Sequence, residues 1–164
     1  MATDIDKAFL SLINENLGIA HKIARLYFDD APSREDVIQE MMYQLWRSFS
    51  SFDNRSKFST WMYRVCLNTA LTHFSKRKRL TTERLSPHHQ NISDTTLNAD
   101  DDFENLFAAI ARLSKLNRAI VLLYLEDMSY EEIATVTGLS HSNVSVRLVR
   151  IRKELENIVK TQNH

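Results

Sequence analysis

Glycine and proline are almost missing from this chain, two of each in 164 residues. Folds built of β-strands draw on both residues at their many tight turns, so the scarcity argues for long helices joined by polar loops. Cysteine is nearly absent as well. Cys66 alone can neither close an internal disulfide nor supply the roughly four ligands of a structural zinc site. Long apolar runs are lacking: the longest, Ala119 to Leu125, has seven residues, against the roughly 20 of a bilayer-crossing helix. No membrane insertion is therefore expected. The opening residues, Met1 to Asp6, are acidic and lack the basic-then-apolar order of a secretory signal, which makes the cytoplasm the expected compartment. Sequence signatures of catalysis are missing too. There is no Gly-rich phosphate loop, no His-Glu-x-x-His and no Glu-x-x-His, and the pair Asp36 and Glu40 has no histidine on its face. Neither an enzyme, nor a cofactor, nor a metal site is expected.

What is present is the balance of a soluble globular protein, 43% apolar and 26% charged. The length suits one ordinary domain or two small ones. Lysine plus arginine equals aspartate plus glutamate at 21 each, yet this zero is an average over segments of opposite sign. From Met42 to Arg79 eight bases face one acid, Asp53; from Asp94 to Glu104 there are five acids and no base; from Thr137 to Lys153 there are four bases and no acid. Two basic islands flanking an acidic strip point to a polyanion partner.

Residues 81–102 are rich in Thr, Ser, Asn, Asp and His, contain Pro87 and show no period, as expected of a flexible acidic linker. The adjacent His88 and His89 lie in it without other ligands and are given no site. The linker divides an all-α chain into two small helical modules, 1–80 and 103–160.

The first module is expected to open with one helix from about Asp4 to Phe28, weakened at Gly18. A second helix is placed from Ser33, whose hydroxyl is a good cap. Val37, Ile38, Met41, Met42, Leu45 and Phe49 gather on its inner arc; Asp36, Gln39, Glu40, Tyr43 and Arg47 gather on the outer one. Spacing alone leaves open whether that outer arc serves solubility or a partner. A third helix is expected from about Thr60 to Arg79, with Met62, Tyr63, Cys66, Leu67, Ala70 and Phe74 inward. Cys66 is thus a small core residue. Trp61, Arg64, Asn68, Thr72, Ser75 and Arg79 face the other way. A tryptophan on the polar face is either an ordinary exposed aromatic, a helix seam, or a flat surface on which a base can stack. In the last case Arg64 and the run Lys76, Arg77, Lys78, Arg79 would hold phosphates nearby. The preceding loop adds Asn54, Arg55 and Lys57, groups that suit a splayed single-stranded base.

The second module carries Phe103, Leu106, Phe107, Ile110 and Leu113 at helical spacing, then the apolar stretch to Leu125. Ser129 with Glu132 forms a capping box before a short helix that Gly138 ends. Ser140 caps the next helix, with Val144, Leu148, Ile151 and Leu155 on one stripe. This is a helix-turn-helix. Away from that stripe lie Ser142, Asn143, Val146, Arg147, Arg150 and Lys153, a mix suited to the edges and phosphates of a major groove.

The segment EDVIQEMMYQLW at 35–46, FSTWMYRVCLNTA at 58–70 and the basic tail after it resemble region 2 of bacterial sigma factors of the extracytoplasmic-function (ECF) group. SYEEIA at 129–134 followed by NVSVRL at 143–148 resembles their region 4. The likeness covers about Phe9 to Arg79 and Phe103 to Ile158. It implies a sigma factor that binds core RNA polymerase and directs promoter recognition, strand opening and transcription initiation. Asp36, Gln39, Glu40, Tyr43 and Arg47 would dock on the clamp helices of the largest polymerase subunit. Asn54, Arg55, Lys57, Trp61, Arg64 and Asn68 would read and open the minus-ten element, and Lys76, Arg77 and Arg79 would hold its backbone. Ser142, Asn143, Val146, Arg147, Arg150 and Lys153 would read the minus-thirty-five element. Core polymerase and promoter DNA are the implied partners, with an anti-sigma factor as a further candidate. Ser114 stands where the group often has proline, and SHSN at 140–143 departs from its usual opening. Two competing readings are a stand-alone dimeric helix-turn-helix regulator and a helical adaptor that binds only protein.

Overall fold

The computed structural model describes residues 3–83 and 101–162, the side chains of 78–83, 101, 103 and 162 excepted. Most of the acidic linker, with His88 and His89, lies outside the described residues, as does the side chain of Arg79. The described chain is all-α. In order come α1 (Asp4–Glu15), α2 (Leu17–Tyr27), α3 (Ala31–Ser48), a 3-10 turn (Phe49–Ser51), α4 (Phe58–Glu83), α5 (Asp101–Ala111), α6 (Lys115–Leu125), α7 (Tyr130–Thr137) and α8 (His141–Gln162).

The single opening helix is corrected to two. Asn16 leaves the helical region at φ −120° and ψ 14°, and its side-chain amide donates 2.8 Å to the Leu12 carbonyl, closing α1 before α2 begins. The weak point is this asparagine rather than Gly18. Its side chain offers the last carbonyls a partner that competes with continuing the helix. The cap of α3 is corrected too. Asp30 is the cap, accepting from the Ser33 amide at 3.0 Å, with Pro32 inside the first turn. Ser33 is buried, and its hydroxyl donates to the Asp30 carboxylate. Arg77 of α4 reaches both, donating to the Ser33 hydroxyl and standing 3.5 Å from Asp30.

The periodic stripes form the interior. Val37, Met41 and Leu45 of α3 and Met62, Cys66 and Ala70 of α4 have no exposed surface, and Tyr63 and Leu67 are nearly as deep. Burying one such Leu or Met side chain contributes about 1.5–3 kcal/mol. Phe74 is only partly buried. In the second module Ile120, Leu123, Ile133 and Val144 are fully buried and Ile151 nearly so. Ser114 caps α6, its hydroxyl accepting from the Asn117 amide at 3.3 Å, so serine supplies the helix start at that position. Ser129 and Glu132 form the full capping box of α7, and Gly138 closes it at φ +79°. Ser140 accepts from the Asn143 amide at 3.1 Å and starts α8.

The two modules are packed against each other, and their cores form one continuous cluster. Tyr27 donates its hydroxyl to the Lys115 carbonyl at 2.6 Å. Lys22 pairs with Glu126 at 2.8 Å. Arg118 of α6 donates to the Leu26 carbonyl and lies 5.7 Å and 5.6 Å from the centres of the Tyr27 and Phe74 rings. Arg25 of α2 lies 5.0 Å over the Phe107 ring.

Candidate nucleic-acid interface

The loop between the 3-10 turn and α4 is shaped by short-range chemistry. Asp53 accepts from the Arg55 amide at 3.1 Å and pairs with its guanidinium at 3.0 Å, while Asn54 sits in the left-handed region at φ 61°. Asparagine is among the few residues that tolerate that conformation at modest cost. Beneath the loop an aromatic nest gathers. Trp61 lies 6.3 Å from Phe49, 5.3 Å from Phe52 and 5.5 Å from Phe58, ring centre to ring centre. The expectation of an indole standing on an exposed face is therefore adjusted. Trp61 is half-buried, seated on three phenylalanines. Phe52 and Phe58, which hold it, were not among the expected site residues, although a pair of aromatics flanking a polar loop is a visible signal.

Trp61 forms part of a groove of about 880 Å³ with Phe52, Arg55, Lys57, Arg64 and Asn68. Arg55, Lys57, Arg64 and Asn68 are exposed. Such a site combines a stacking surface, worth roughly 1–3 kcal/mol per base, with three cations for the phosphates. The opposite wall belongs to α7 and carries Ser129, Glu131, Glu132 and Thr135. Lys76 is exposed on the same helix, and Arg77 is engaged with Asp30 and Ser33.

A second surface is the outer arc of α3, where Asp36, Gln39, Glu40, Tyr43 and Arg47 are all exposed. Glu40 accepts from the Gln44 amide group at 3.0 Å. Trp46, half exposed, borders this arc with its ring edge-on to Phe9. The third surface is α8. Ser142, Asn143, Val146, Arg150 and Lys153 are exposed. Arg147 is half-buried, donating to Asn143 at 3.0 Å and to Asn117 at 3.2 Å. Val149, 57% exposed, shares their face and was missed. The same 100° arithmetic that found Val146 would have found it.

Titration adds little to these surfaces and fixes the interior. Burial pushes the Cys66 thiol up to about 12, so this residue is a neutral core atom, as its stripe implied. Burial, and then the neighbouring Glu126 carboxylate, push the Tyr63 phenol up. Among the described residues no three His, Cys, Asp or Glu side chains come together as a metal site.

Family models match both modules in this order. Residues 12–80 match Sigma-70 region 2, and residues 103–155 match Sigma-70, region 4. The ECF RNA polymerase sigma-E factor of Escherichia coli (strain K12) is 32% identical, the match covering 85% of this chain and 81% of that protein. That of Haemophilus influenzae is 33% identical over 74% of this chain and 72% of its own. The chain belongs to the ECF RNA polymerase sigma factors. As a sigma factor it directs promoter recognition with RNA polymerase. Solved structures share the sigma-factor fold. The sigma factor RpoE of Bartonella quintana, crystallised with the anti-sigma factor NepR, superposes at a TM-score of 0.74 with 20% identity, covering 94% of this chain and 98% of that one. CnrH, in complex with the cytosolic domain of CnrY, gives 0.67 and 23%, covering 94% and 89%. The side of the groove made by α4 and the loop before it falls in region 2 of this sigma factor, and its α7 wall and most of α8 fall in region 4.

Proposed function

We propose that the three surfaces divide the work of promoter recognition. Asp36, Gln39, Glu40, Tyr43 and Arg47 dock on core RNA polymerase. Asn54, Arg55, Lys57, Trp61, Arg64 and Asn68 take up unpaired bases of the minus-ten element, while Lys76, Arg77 and Arg79 hold the adjoining phosphates. Ser142, Asn143, Val146, Arg147, Arg150 and Lys153 of the recognition helix read the minus-thirty-five element in the major groove. The module boundaries follow this division: 1–80 for core and minus-ten binding, 103–160 for the minus-thirty-five element, with 81–102 between them. The protein makes no bond itself, takes no cofactor and works in the cytoplasm; the chemistry belongs to the polymerase. An anti-sigma factor is proposed as a further partner.

The observation that carries this reading is the groove of aromatic floor and cationic rim around Trp61. Unpairing a base costs a few kcal/mol, and a pocket that stacks the flipped base offsets that cost. Mixed with purified core polymerase, the protein is expected to direct transcription from a small set of promoters, and to bind duplex DNA only weakly without core. Tight sequence-specific binding to duplex DNA by the protein alone, unaffected by core, would contradict the reading.

A further inference from the structure

Four side chains stand at the middle of the outer face of α8. At about 100° per residue, Ser142, Val146, Val149 and Lys153 lie opposite the stripe of Val144, Leu148, Ile151 and Leu155 that packs into the core. Val146 is 48% exposed and Val149 57%. β-Branched residues are among the weaker helix formers, and a pair of them turned to solvent contributes little to the module's own packing. A single exposed apolar side chain is commonplace on any surface. These two are one turn apart, so they adjoin on one face, and no acid occurs around them from Thr137 to Lys153. The hydrogen-bonding groups nearest to them are partly engaged within the module. Arg147 donates to Asn143 at 3.0 Å and to Asn117 of α6 at 3.2 Å, which also occupies the Asn143 side-chain carbonyl. Ser142, Arg150 and Lys153 remain exposed around the valines. Where an amide or guanidinium would read a purine edge, the centre of this face offers methyl groups alone.

In the major groove the apolar feature of a base edge is the 5-methyl group of thymine, whereas cytosine presents a bare C5. Three residues of helix rise by about 4.5 Å, and neighbouring bases of one strand are about 3.4 Å apart. The valine pair therefore covers one or two adjacent pyrimidines. We propose that Val146 and Val149 read the 5-methyl group of pyrimidines in the minus-thirty-five element, which makes Val149 a specificity-determining residue beside those assigned above. The proposal rests on the reading of α8 as the major-groove helix. What the pair recognises is a methyl group and not a hydrogen-bonding pattern. It accepts 5-methylcytosine as it accepts thymine, and it discriminates against uracil and unmodified cytosine. Promoter strength thus answers to cytosine-5 methylation wherever a cytosine lies under the pair.

Holoenzyme reconstituted from the full chain and purified core is first used to select its promoters from a random library. In a selected promoter each base pair of the upstream element is then replaced, in either orientation, by thymine–adenine, uracil–adenine, cytosine–guanine and 5-methylcytosine–guanine, and binding is measured by competition. At one or two neighbouring positions, uracil in place of thymine is expected to weaken binding about fourfold, and methylation of cytosine to strengthen it about fourfold, the worth of burying one methyl group. Val146→Ala and Val149→Ala should each reduce both effects, and the double variant should remove them. A methyl effect for thymine with none for cytosine contradicts the proposal, since a hydrogen-bonding group would then be reading that base. Methyl effects that are absent at every position, or that persist in the double variant, overturn it. Loss of core binding in Val149→Ala with the methyl effects unchanged overturns it too, because the pair would then serve a protein contact. In each of these cases Arg150→Ala separates the two readings. If it weakens binding to the element, only the methyl contact fails; if it does not, the assignment of α8 fails as well.

Discussion

At the residue scale, the stripes of the helices were legible because they depend on local periodicity alone. Cys66 falls on the inner stripe of α4, is fully buried and has its thiol pushed up to about 12. In the native protein at pH 8 it should resist thiol reagents, reacting only on the timescale of unfolding; fast labelling measured against a denatured control would contradict this. Asp30 was not legible as a cap, because both Asp30 and Ser33 are good capping residues and the choice is made elsewhere. Ser33 is buried against Arg77, 44 positions later in the chain. The Asp30 carboxyl is held below the usual carboxylate range, chiefly by the Ser33 hydroxyl, then by the Ser33 amide, with Arg77 contributing. A depressed folded-state pKa stabilises above the unfolded value and that stability is lost as pH falls through the folded one. Asp30→Ala should thus cost about 1 kcal/mol in urea unfolding at neutral pH. The difference from wild type should shrink as pH falls below about 4. A constant difference down to pH 2 would argue against the cap.

At the element scale, the helix-turn-helix was the clearest part of the sequence. The Ser129 and Glu132 box, Gly138 and the Ser140 cap are short-range signals, and all occur as hydrogen bonds or dihedrals in the fold. Gly138 is needed for its backbone and not for space: at φ +79° nothing lies within 4 Å of where a Cβ would stand. Gly138→Ala is therefore expected to destabilise by about 1–2 kcal/mol through the left-handed conformation alone. Thermal unfolding would read this as a loss of a few degrees, with the recognition helix intact in the folded state; an unchanged midpoint would show that the turn relaxes. The break between α1 and α2 was not legible. It depends on one side-chain hydrogen bond from Asn16, and both flanking segments carry good helical periods.

At the scale of the whole molecule, the order of the modules could be read from motif, but their packing could not. The seam is made of contacts between residues 40 or more positions apart, from Lys115 with Ser75 to Lys22 with Glu126, and none has a local signature. Trp61 shows the same limit. Spacing put it on the outer stripe of α4, whereas its half-burial comes from Phe49, Phe52 and Phe58, brought together by the loop. We propose that this indole serves strand opening and the outer arc of α3 serves polymerase. This assignment is tested most directly by permanganate footprinting of a promoter with reconstituted holoenzyme, alongside titration of core binding. Trp61→Ala should leave core affinity within about twofold and reduce unpaired thymines by tenfold or more, as loss of one stacked base predicts. Glu40→Ala should weaken core binding and, once core is saturating, leave opening intact. The opposite assignment of the two defects would contradict the account.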